Sequence, residues 1–285
     1  MCVGIASVAR KGVNYLQGAV GSVLEGLTAA EREDIHLIIF IAHLDPAEHP
    51  AYMEPWLHDL ADKVLVYDPD VVDIEHIRSL ETPEAKKFAR EKGLFDYTYL
   101  LKACGALNTS YTVMLEDDVV ALDGWYHRTK QALDVAERKA EEEGVEQFLS
   151  LVITPLLIVL FFAAGRNTML PIPEGVHAMP KFGCCSQGFV FSQTRVGDLV
   201  SWYERNKVGY VDMLTERYAD QNGEVRWALT PSVLQHVGSR SSKTNSLGKH
   251  RERLTISERI WNFRFEENDP GELRLEHRLQ DEEVR

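Results

Sequence analysis

Short apolar runs alternate with helix-like segments along the first half of the chain, and this alternation constrains the fold more than any other feature. Residues 3–8, 36–42 and 111–115 are almost continuously apolar, which is typical of strands buried on both faces of a parallel sheet. Helical spacing occupies residues 13–27 and 83–107 between them. The order predicts an α/β fold with a mixed, mainly parallel sheet flanked by helices.

Three consecutive carboxylates, Glu116, Asp117 and Asp118, follow the apolar run at 111–115. Sites in parallel sheets tend to lie beyond the carboxyl ends of the strands, where these residues would sit. Packing three anions together costs repulsion and desolvation unless a cation, hydrogen bonds or water offset it. Since carboxylates are natural ligands of Mg²⁺ and Mn²⁺, the cluster predicts a divalent-cation site. A helix cap and a solvated loop are the alternatives.

Composition limits the class of protein. The 285 residues, 45% of them hydrophobic, allow one large α/β domain or two smaller ones. A net charge of −13 argues against a general nucleic-acid-binding protein.

The four cysteines, Cys2, Cys104, Cys184 and Cys185, lack the spacing of a zinc finger, so they are thiols or form up to two disulfides. A bridge between the adjacent Cys184 and Cys185 would be strained. Cys104 is therefore the better predicted disulfide partner for this pair.

Residues 148–165 form an apolar run with no ionisable side chain between Glu146 and Arg166. As a helix this interval would extend about 28 Å, close to the ~30 Å thickness of a bilayer's hydrocarbon core. The run is predicted to contact a membrane, with a buried helix or a pair of core strands as the alternative that Pro155 supports. The opening residues 3–9 resemble a core strand more than a signal peptide.

Two later segments add polar residues to the predicted sheet. Asp212 lies among apolar neighbours in residues 209–216. His236 lies where a predicted strand enters the polar loop of residues 230–242. A histidine in that position is more often a hydrogen-bonded core residue than a ligand, but the carboxylate cluster keeps both interpretations open.

Several motifs occur in order along the chain, at residues 4–10, 14–16, 96–101, 115–118, 182–188, 211–214 and 231–242. Together they resemble the motifs of the GlcNAc-transferase IV family and, more closely, of its membrane-embedded relatives that add GalNAc to GPI-anchor glycans. The resemblance extends from about residue 4 to residue 265 and is weakest in the centre.

The resemblance implies a GT-A glycosyltransferase that uses a UDP-sugar and Mn²⁺ or Mg²⁺. Asp118 would be the first metal ligand and His236 a second one from the C-terminal loop. Asp117 would support or join them, and Glu116 would lie nearer the ribose or sugar. A diphosphate leaving group needs its developing charge neutralised, and a divalent cation supplies this without proton transfer.

The resemblance also implies roles for residues outside the acidic cluster. Asp212 would be the general base of an inverting transfer, with Glu216 as the runner-up and a structural helix cap as the alternative. The remaining implied contacts are Ser7, Arg10, Arg240 and Lys243 to the nucleotide, and Ser186, Gln187 and Gly188 to the sugar or acceptor.

The chain is accordingly divided into a nucleotide-sugar-binding half at 1–146, a membrane-associated segment at 147–166, an acceptor half at 167–265 and a charged, solvated tail at 266–285. The membrane-embedded relatives carry two adjacent transmembrane helices, whereas this chain has one candidate. A single span would separate Asp118 from His236, so the segment is expected to lie in the interface, to fold back at Pro155 or to be a shortened hairpin.

The predicted function is transfer of GalNAc or GlcNAc to a glycan or GPI-glycolipid acceptor, in the lumen of the Golgi or endoplasmic reticulum and at the membrane. Residues 108–110 match an N-glycosylation acceptor pattern. The alternative is a catalytically degenerate, membrane-associated protein that keeps the fold and binds a nucleotide or a partner.

Overall fold

The computed structural model describes residues 1–82, 89–143, 147–150, 174–179, 187–238 and 268–284. Within them the chain is a mixed α/β protein whose mainly parallel central sheet lies between two layers of helices, which confirms that part of the predicted fold. This architecture is compatible with a GT-A-like fold.

Eight of the described strands form one sheet, in the order β3-β2-β1-β4-β8-β6-β9-β7. The pairs β1–β2, β2–β3, β1–β4 and β6–β9 are parallel, and the other three are antiparallel. The two strands outside it, β5 and β10, form a short antiparallel ribbon. The strands are β1 (Cys2–Ser7), β2 (His36–Ile41), β3 (Lys63–Leu65), β4 (Tyr111–Glu116), β5 (Val119–Ala121), β6 (Gln147–Ser150), β7 (Gly175–Ala178), β8 (Gly188–Ser192), β9 (Val225–Thr230) and β10 (Leu234–His236).

Helices cover both faces of the sheet. One layer contains α1, α3 and α6, and the other contains α4, α5, α7 and α8. The described helices are α1 (Leu16–Leu24), α2 (Ala29–Asp34), α3 (Pro55–Leu60), α4 (Ile74–Leu80), α5 (Ala89–Gly105), α6 (Trp125–Glu143), α7 (Gln193–Asn206), α8 (Val211–Asn222) and α9 (Pro270–Val284).

The interior strand β2 is apolar at almost every position because both of its faces are covered by helices. Leu37 and Ile39 pack with α1, α3 and α6, whereas Ile38 and Phe40 pack with the opposite layer. Successive side chains of a strand point to opposite faces, so a strand between two helical layers needs apolar residues on both. Each of these fully buried side chains stabilises the fold by roughly 1.5–3 kcal/mol.

The cysteine pairing differs from the prediction. Cys104, at the end of α5, forms a disulfide with Cys2 in β1. Cys104 is therefore not available to Cys184 or Cys185, which lie outside the described residues. Cys2 and Cys104 are 102 residues apart in sequence, and they meet only because α5 packs on β1.

The predicted membrane segment needs a correction at its start. Gln147–Ser150 forms β6, which pairs through its backbone with β8 and β9 inside the sheet. Residues 148–150 therefore belong to the sheet and not to a membrane segment. Residues 151–166, Pro155 included, lie outside the described part of the chain. Among the described residues, none of the helices is both long enough and apolar enough to cross a bilayer.

The C-terminal segment also differs from the expected solvated tail. Residues 270–284 form helix α9, on which Leu273 and His277 are buried while Leu275 and Leu279 are about half exposed. Residues four apart lie on the same face of a helix. One face of this charged helix therefore packs against the domain.

Candidate active site

The acidic cluster lies where two neighbouring parallel strands end. Ala6 in β1 is paired with Glu116 in β4, so Ser7 and Asp117 leave the sheet side by side. The Ser7 hydroxyl donates a hydrogen bond to Asp117 Oδ2. Two residues separated by 110 positions in sequence thus meet because the strands run parallel, as the carboxyl-end rule for such sheets leads us to expect.

Arg10 provides the positive charge that the sequence argument required for this cluster. Its Nη1 lies 2.6 Å from Asp117 Oδ2, and its Nη2 lies 3.4 Å from Asp118 Oδ2. Both carboxylates are at least nine-tenths buried, and an unpaired charge at such depth would cost several kcal/mol. Arg10 therefore offsets the cluster internally. Its predicted contact with the nucleotide remains a prediction.

His49 joins the same network from the loop before α3. Its Nδ1 accepts a hydrogen bond from the backbone N–H of Ala51, which leaves the proton of the neutral imidazole on Nε2. This Nε2 lies 3.0 Å from Ser7 Oγ, so the ring donates to the hydroxyl while the hydroxyl donates to Asp117. Burial, reinforced by the charges of His43 and Arg10, lowers the pKa of His49 to about 4. The ring is neutral at physiological pH.

The β5–β10 ribbon carries His236 to Asp118. His236 is paired with Val119, and the backbone N–H of Val237 donates to the carbonyl oxygen of Asp118 at 2.8 Å. His236 Nε2 consequently lies 3.3 Å from Asp118 Oδ2. The sequence analysis predicted that these two residues meet, and the ribbon supplies the physical means.

The backbone at Gly238 lies directly against the Asp118 carboxylate. A Cβ atom at this position would lie 2.0 Å from Asp118 Oδ2, far inside van der Waals contact. Only glycine lets the backbone after β10 run this close to the carboxylate. The sequence analysis included Gly238 in a motif but gave it no role.

Three side chains could hold a metal ion here. One potential ligand atom from each of Glu116, Asp118 and His236 lies within 4.8 Å of the other two. Asp118 Oδ1 is buried and has no hydrogen-bond partner among the described residues. A buried carboxylate oxygen without a partner is unfavourable unless a ligand satisfies it. The donor set of two carboxylates and one imidazole suits Mn²⁺ or Mg²⁺ through its oxygens, so the residues present fit a divalent cation.

The charges of the pair formed by Asp118 and His236 support each other. Burial acts to raise the pKa of Asp118, but the hydrogen bond and charge of His236, with the charge of Arg10, outweigh it and lower that pKa. Burial acts to lower the pKa of His236, but Asp118 and Glu116 outweigh it and raise that pKa. For Asp117 burial is the larger effect and raises its pKa against the opposing influence of Arg10 and Ser7.

Gln187 and Gly188 lie beside Glu116. The backbone N–H of Glu116 donates to the carbonyl oxygen of Gln187 at 3.1 Å, and Gly188 is paired with Leu115. Both residues therefore border the acidic cluster, and their predicted contacts to sugar or acceptor remain predictions. Ser186, Arg240 and Lys243 fall outside the described residues.

A pair of tyrosines that the sequence analysis did not single out packs between α5 and α7. The rings of Tyr97 and Tyr203 meet edge to face with their centroids 6.0 Å apart. Burial, with Tyr203 and then Glu116, raises the pKa of Tyr97, whereas burial and the charge of Asp212 raise the pKa of Tyr203. Tyr97 Oη is buried without a hydrogen-bond partner among the described residues.

The two candidate bases differ in their surroundings. Asp212 lies in the first turn of α8, is half-buried, and its Oδ1 accepts the backbone N–H of Met213 at 2.8 Å. Glu216 lies one turn further on, with its Oε1 3.4 Å from Nη2 of the buried Arg226. This ion pair with a buried arginine restrains the Glu216 side chain. Asp212 is therefore the better placed of the two, although it shares features of a helix cap.

Comparison with known proteins finds relatives that are all named as N-acetylglucosaminyltransferases. No protein-family model matches it. It is 24% identical over 258 residues to alpha-1,3-mannosyl-glycoprotein 4-beta-N-acetylglucosaminyltransferase B of Danio rerio, a match covering 87% of this chain and 43% of the relative. It is 30% identical over 131 residues to the corresponding transferase C of Mus musculus, covering 42% of this chain and 27% of the relative. The match to transferase C of Macaca fascicularis has the same identity and coverage.

These similarities support a relationship to GlcNAc-transferase IV-like proteins at low identity. The prediction of an enzyme that transfers a hexosamine agrees with the names of the relatives. They do not support the predicted closer resemblance to the GPI-directed branch. The chain spans less than half the length of each of these relatives.

Proposed function

We propose that this chain is the metal-dependent catalytic domain of an inverting glycosyltransferase that moves N-acetylglucosamine from a UDP-sugar to a glycan. The observation that carries the proposal is the convergence of Glu116, Asp118 and His236 at the carboxyl edge of the sheet. Its strongest single element is Asp118 Oδ1, a buried carboxylate oxygen left without a partner among the described residues.

The proposed donor site follows from the charges at this edge. A divalent cation held by Asp118, His236 and Glu116 would neutralise charge that develops on the diphosphate leaving group. Arg10 keeps Asp117 and Asp118 in place through its guanidinium. The loop at Ser7 and Arg10 would lie next to the uridine or phosphate, while Arg240 and Lys243 would approach the diphosphate from the loop after β10.

Asp212 is the proposed general base. A hydroxyl that attacks the anomeric carbon loses its proton as the new bond forms, and a half-buried carboxylate at the start of α8 can accept that proton. The contact of Glu216 with Arg226 makes Glu216 the weaker candidate. Gln187 and Gly188, which border Glu116, would then shape the side of the pocket that receives the sugar or acceptor, together with Ser186.

The relatives' names favour particular substrates. Each is named as a 4-beta-N-acetylglucosaminyltransferase of an alpha-1,3-mannosyl glycoprotein, so GlcNAc and a mannose-terminated glycoprotein glycan are the first donor sugar and acceptor to test. GalNAc and a GPI-glycolipid acceptor are the second, since the motif at residues 182–188 resembles the GPI-directed group.

The decisive assay follows UDP release from UDP-GlcNAc, UDP-GalNAc and UDP-galactose, with Mn²⁺ or with a chelator, in the presence and absence of each acceptor. We expect Mn²⁺-dependent release from UDP-GlcNAc that rises with a mannosyl glycan. Asp59→Asn, an exposed carboxylate change in α3, is the matched control and keeps this activity. Binding of UDP with Mn²⁺ but no transfer to any acceptor would instead support the degenerate, noncatalytic alternative.

The proposed location is the lumen of the secretory pathway, with membrane contact by residues 151–166. A Cys2–Cys104 disulfide supports an oxidising compartment, and the acceptor-pattern residue Asn108 is exposed on the loop after α5. Glycosidase treatment of the expressed protein should lower its apparent mass, and Asn108→Gln should remove that change. An unmodified Asn108 together with reduced Cys2 and Cys104 would argue against the lumen.

A further inference from the structure

A second cluster of histidines and carboxylates lies under the C-terminal helix, away from the residues proposed for catalysis. It consists of Glu31 from α2, His127 from α6 and His277 from α9. One potential ligand atom from each lies within 4.8 Å of the other two. All three side chains are at least 87% buried, since their exposed fractions are 13%, 5% and 8%.

Each histidine in this cluster has one nitrogen bound to an outer carboxylate. His277 Nδ1 lies 3.1 Å from Asp123 Oδ1, and His127 Nε2 lies 2.9 Å from Glu276 Oε1. Glu276 is in turn held by Arg128, whose Nη2 donates to its Oε2 at 2.6 Å. Histidines that bind metals commonly donate their second ring N–H to a carboxylate, which fixes the ring and increases its basicity.

The other nitrogen of each ring has no contact with an outer carboxylate. His277 Nε2 lies 2.7 Å from Glu31 Oε2. His127 Nδ1 is buried and has no hydrogen-bond partner among the described residues. The two rings are stacked with centroids 5.2 Å apart. The two imidazoles are therefore neighbours, and each has one nitrogen that does not contact an outer carboxylate. An ordinary ion-pair network would not leave a buried ring nitrogen unsatisfied.

We propose that Glu31, His127 Nδ1 and His277 Nε2 bind a Zn²⁺ ion that fastens α9 to the domain. The proton between His277 and Glu31 leaves to solvent when the ion enters. Asp123 and Glu276 remain outside the coordination sphere and orient the two rings.

The donor set selects zinc over the cation proposed for the active site. Two imidazoles and one carboxylate form a common three-residue protein ligand set for Zn²⁺, at about 2.0–2.2 Å from the ion. Mg²⁺ and Mn²⁺ prefer oxygen-rich sites. Glu31 is already oriented, because its Oε2 accepts the backbone N–H of Thr28 in a capping box at the start of α2.

The position of the cluster explains what such an ion would do. Glu31 and His277 are 246 residues apart in sequence, and among residues 270–279 of α9 only Leu273 and His277 are buried. A helix of this kind gains most of its stability from tertiary contacts. An ion bound by all three elements would therefore cross-link α9 to α2 and α6.

The test uses the full chain, freed of metal by a chelator and then titrated with Zn²⁺ while heat and melting temperature are followed. We expect one tight Zn²⁺ per chain and a higher melting temperature. His277→Gln and His127→Gln should each weaken that binding about 100-fold and remove the stabilisation, and Glu276→Gln should weaken it about tenfold.

Two controls separate this site from the proposed active site and from surface histidines. Asp118→Ala removes a ligand of the other cluster and should leave tight Zn²⁺ binding and its thermal stabilisation intact. His58→Gln changes an exposed histidine of α3 and should have no effect on either readout.

X-ray absorption at the zinc edge of the loaded wild-type protein covers the case in which the histidine variants fail to fold. Two imidazole nitrogens with a carboxylate oxygen are expected in the first shell. Sulfur ligands, a shell of oxygens only, absence of tight binding, or full Zn²⁺ affinity in both folded histidine variants would each overturn the proposal and leave the cluster as a protonated ion-pair network.

Discussion

The two histidine–carboxylate clusters are attached to opposite ends of the same three-residue strand, β5, and they differ in the exposure of their histidines and in the partners of those rings. Asp118 immediately precedes β5, whereas Asp123 follows it. In the first cluster, Asp118 leaves a buried oxygen without a partner, and His236 is about one-quarter exposed. In the second, His277 has a carboxylate on each ring nitrogen and is almost fully buried.

This difference suits the first cluster to reversible ligand binding and the second to joining helices. The first cluster has an accessible side at His236, so a ligand can enter and leave. The second is enclosed by three helices, and whatever satisfies it holds them together.

His49, beside the first cluster, and His277, in the second, respond to acid in opposite ways. Near the first cluster, burial lowers the pKa of His49 to about 4. In the second, burial acts to lower the pKa of His277, but hydrogen bonds to Glu31 and Asp123 outweigh it and raise that pKa. A proton therefore opposes folding at His49 and supports it at His277.

The largest expected effect is that of Asp118→Ala. Removing this ligand should abolish transfer and weaken Mn²⁺-dependent UDP binding by about 100-fold or more, because Glu116 and His236 alone cannot complete the site. The packing of α9 should be unaffected. Calorimetry with UDP and Mn²⁺ measures the binding, and hydrogen exchange of residues 270–284 measures the helix. Normal UDP affinity in the folded variant would remove the metal assignment and with it the contrast between the clusters.

Asp212→Asn tests whether α8 belongs to the active region. Losing a general base should lower kcat by roughly 100-fold to 10,000-fold while UDP affinity stays near that of the wild type, because the base acts in the chemical step. Steady-state kinetics and calorimetry together distinguish the two quantities. Asp220→Asn, an exposed change on the same helix, is the control. Near-normal turnover of Asp212→Asn would pass the role to another residue, Glu216 first.

Acid titration sharpens the contrast through His49. The unfolded chain takes up a proton at this residue below about pH 6.5, but the folded chain does so only near pH 4, so the free energy of unfolding should fall as the pH drops through this window. The full loss attributable to His49 is about 3 kcal/mol. Urea unfolding of the wild type and of His49→Gln between pH 7 and pH 4 measures it, with His58→Gln as the exposed control. Equal slopes for His49→Gln and the wild type would show that His49 is not held neutral.

The smallest expected effect comes from one methyl group at the first cluster. Gly238→Ala places a Cβ atom against Asp118 Oδ2, so the carboxylate must shift and Mn²⁺-dependent UDP affinity should fall about tenfold. Gly18→Ala is the matched control, because nothing lies within 4 Å of its added Cβ in α1, and it should stabilise the protein by about 0.5–1 kcal/mol. An unchanged UDP affinity in Gly238→Ala would mean that the backbone after β10 moves freely away from Asp118.

Sequence reasoning located the elements whose environment can be predicted from the residue types within them. The apolar run at 36–42 predicted a strand buried on both faces, because a β-strand exposes its alternate residues to opposite sides. The three carboxylates after β4 predicted a site at the sheet edge. His236 was correctly expected near Asp118, although the local sequence shows no sign of the ribbon that joins them.

Sequence reasoning failed where the deciding contact is remote. Residues 148–150 are apolar in the same way as a membrane segment, and only their backbone pairing with β8 and β9 shows that they belong to the sheet. The tail at 266–285 has a strongly charged composition, yet Leu273 and His277 of α9 are buried against the rest of the domain.

The sequence by itself determined the buried strands β1, β2 and β4 and the place where negative charge accumulates, since these depend on local periodicity and residue type. Only the tertiary structure decided that Ser7 and His49 support Asp117, that Cys2 bonds Cys104, and that Glu31 meets His277. Each of these contacts joins residues far apart in the chain. Such a pairing is set by how whole strands and helices pack, and neither partner's local sequence carries a record of it.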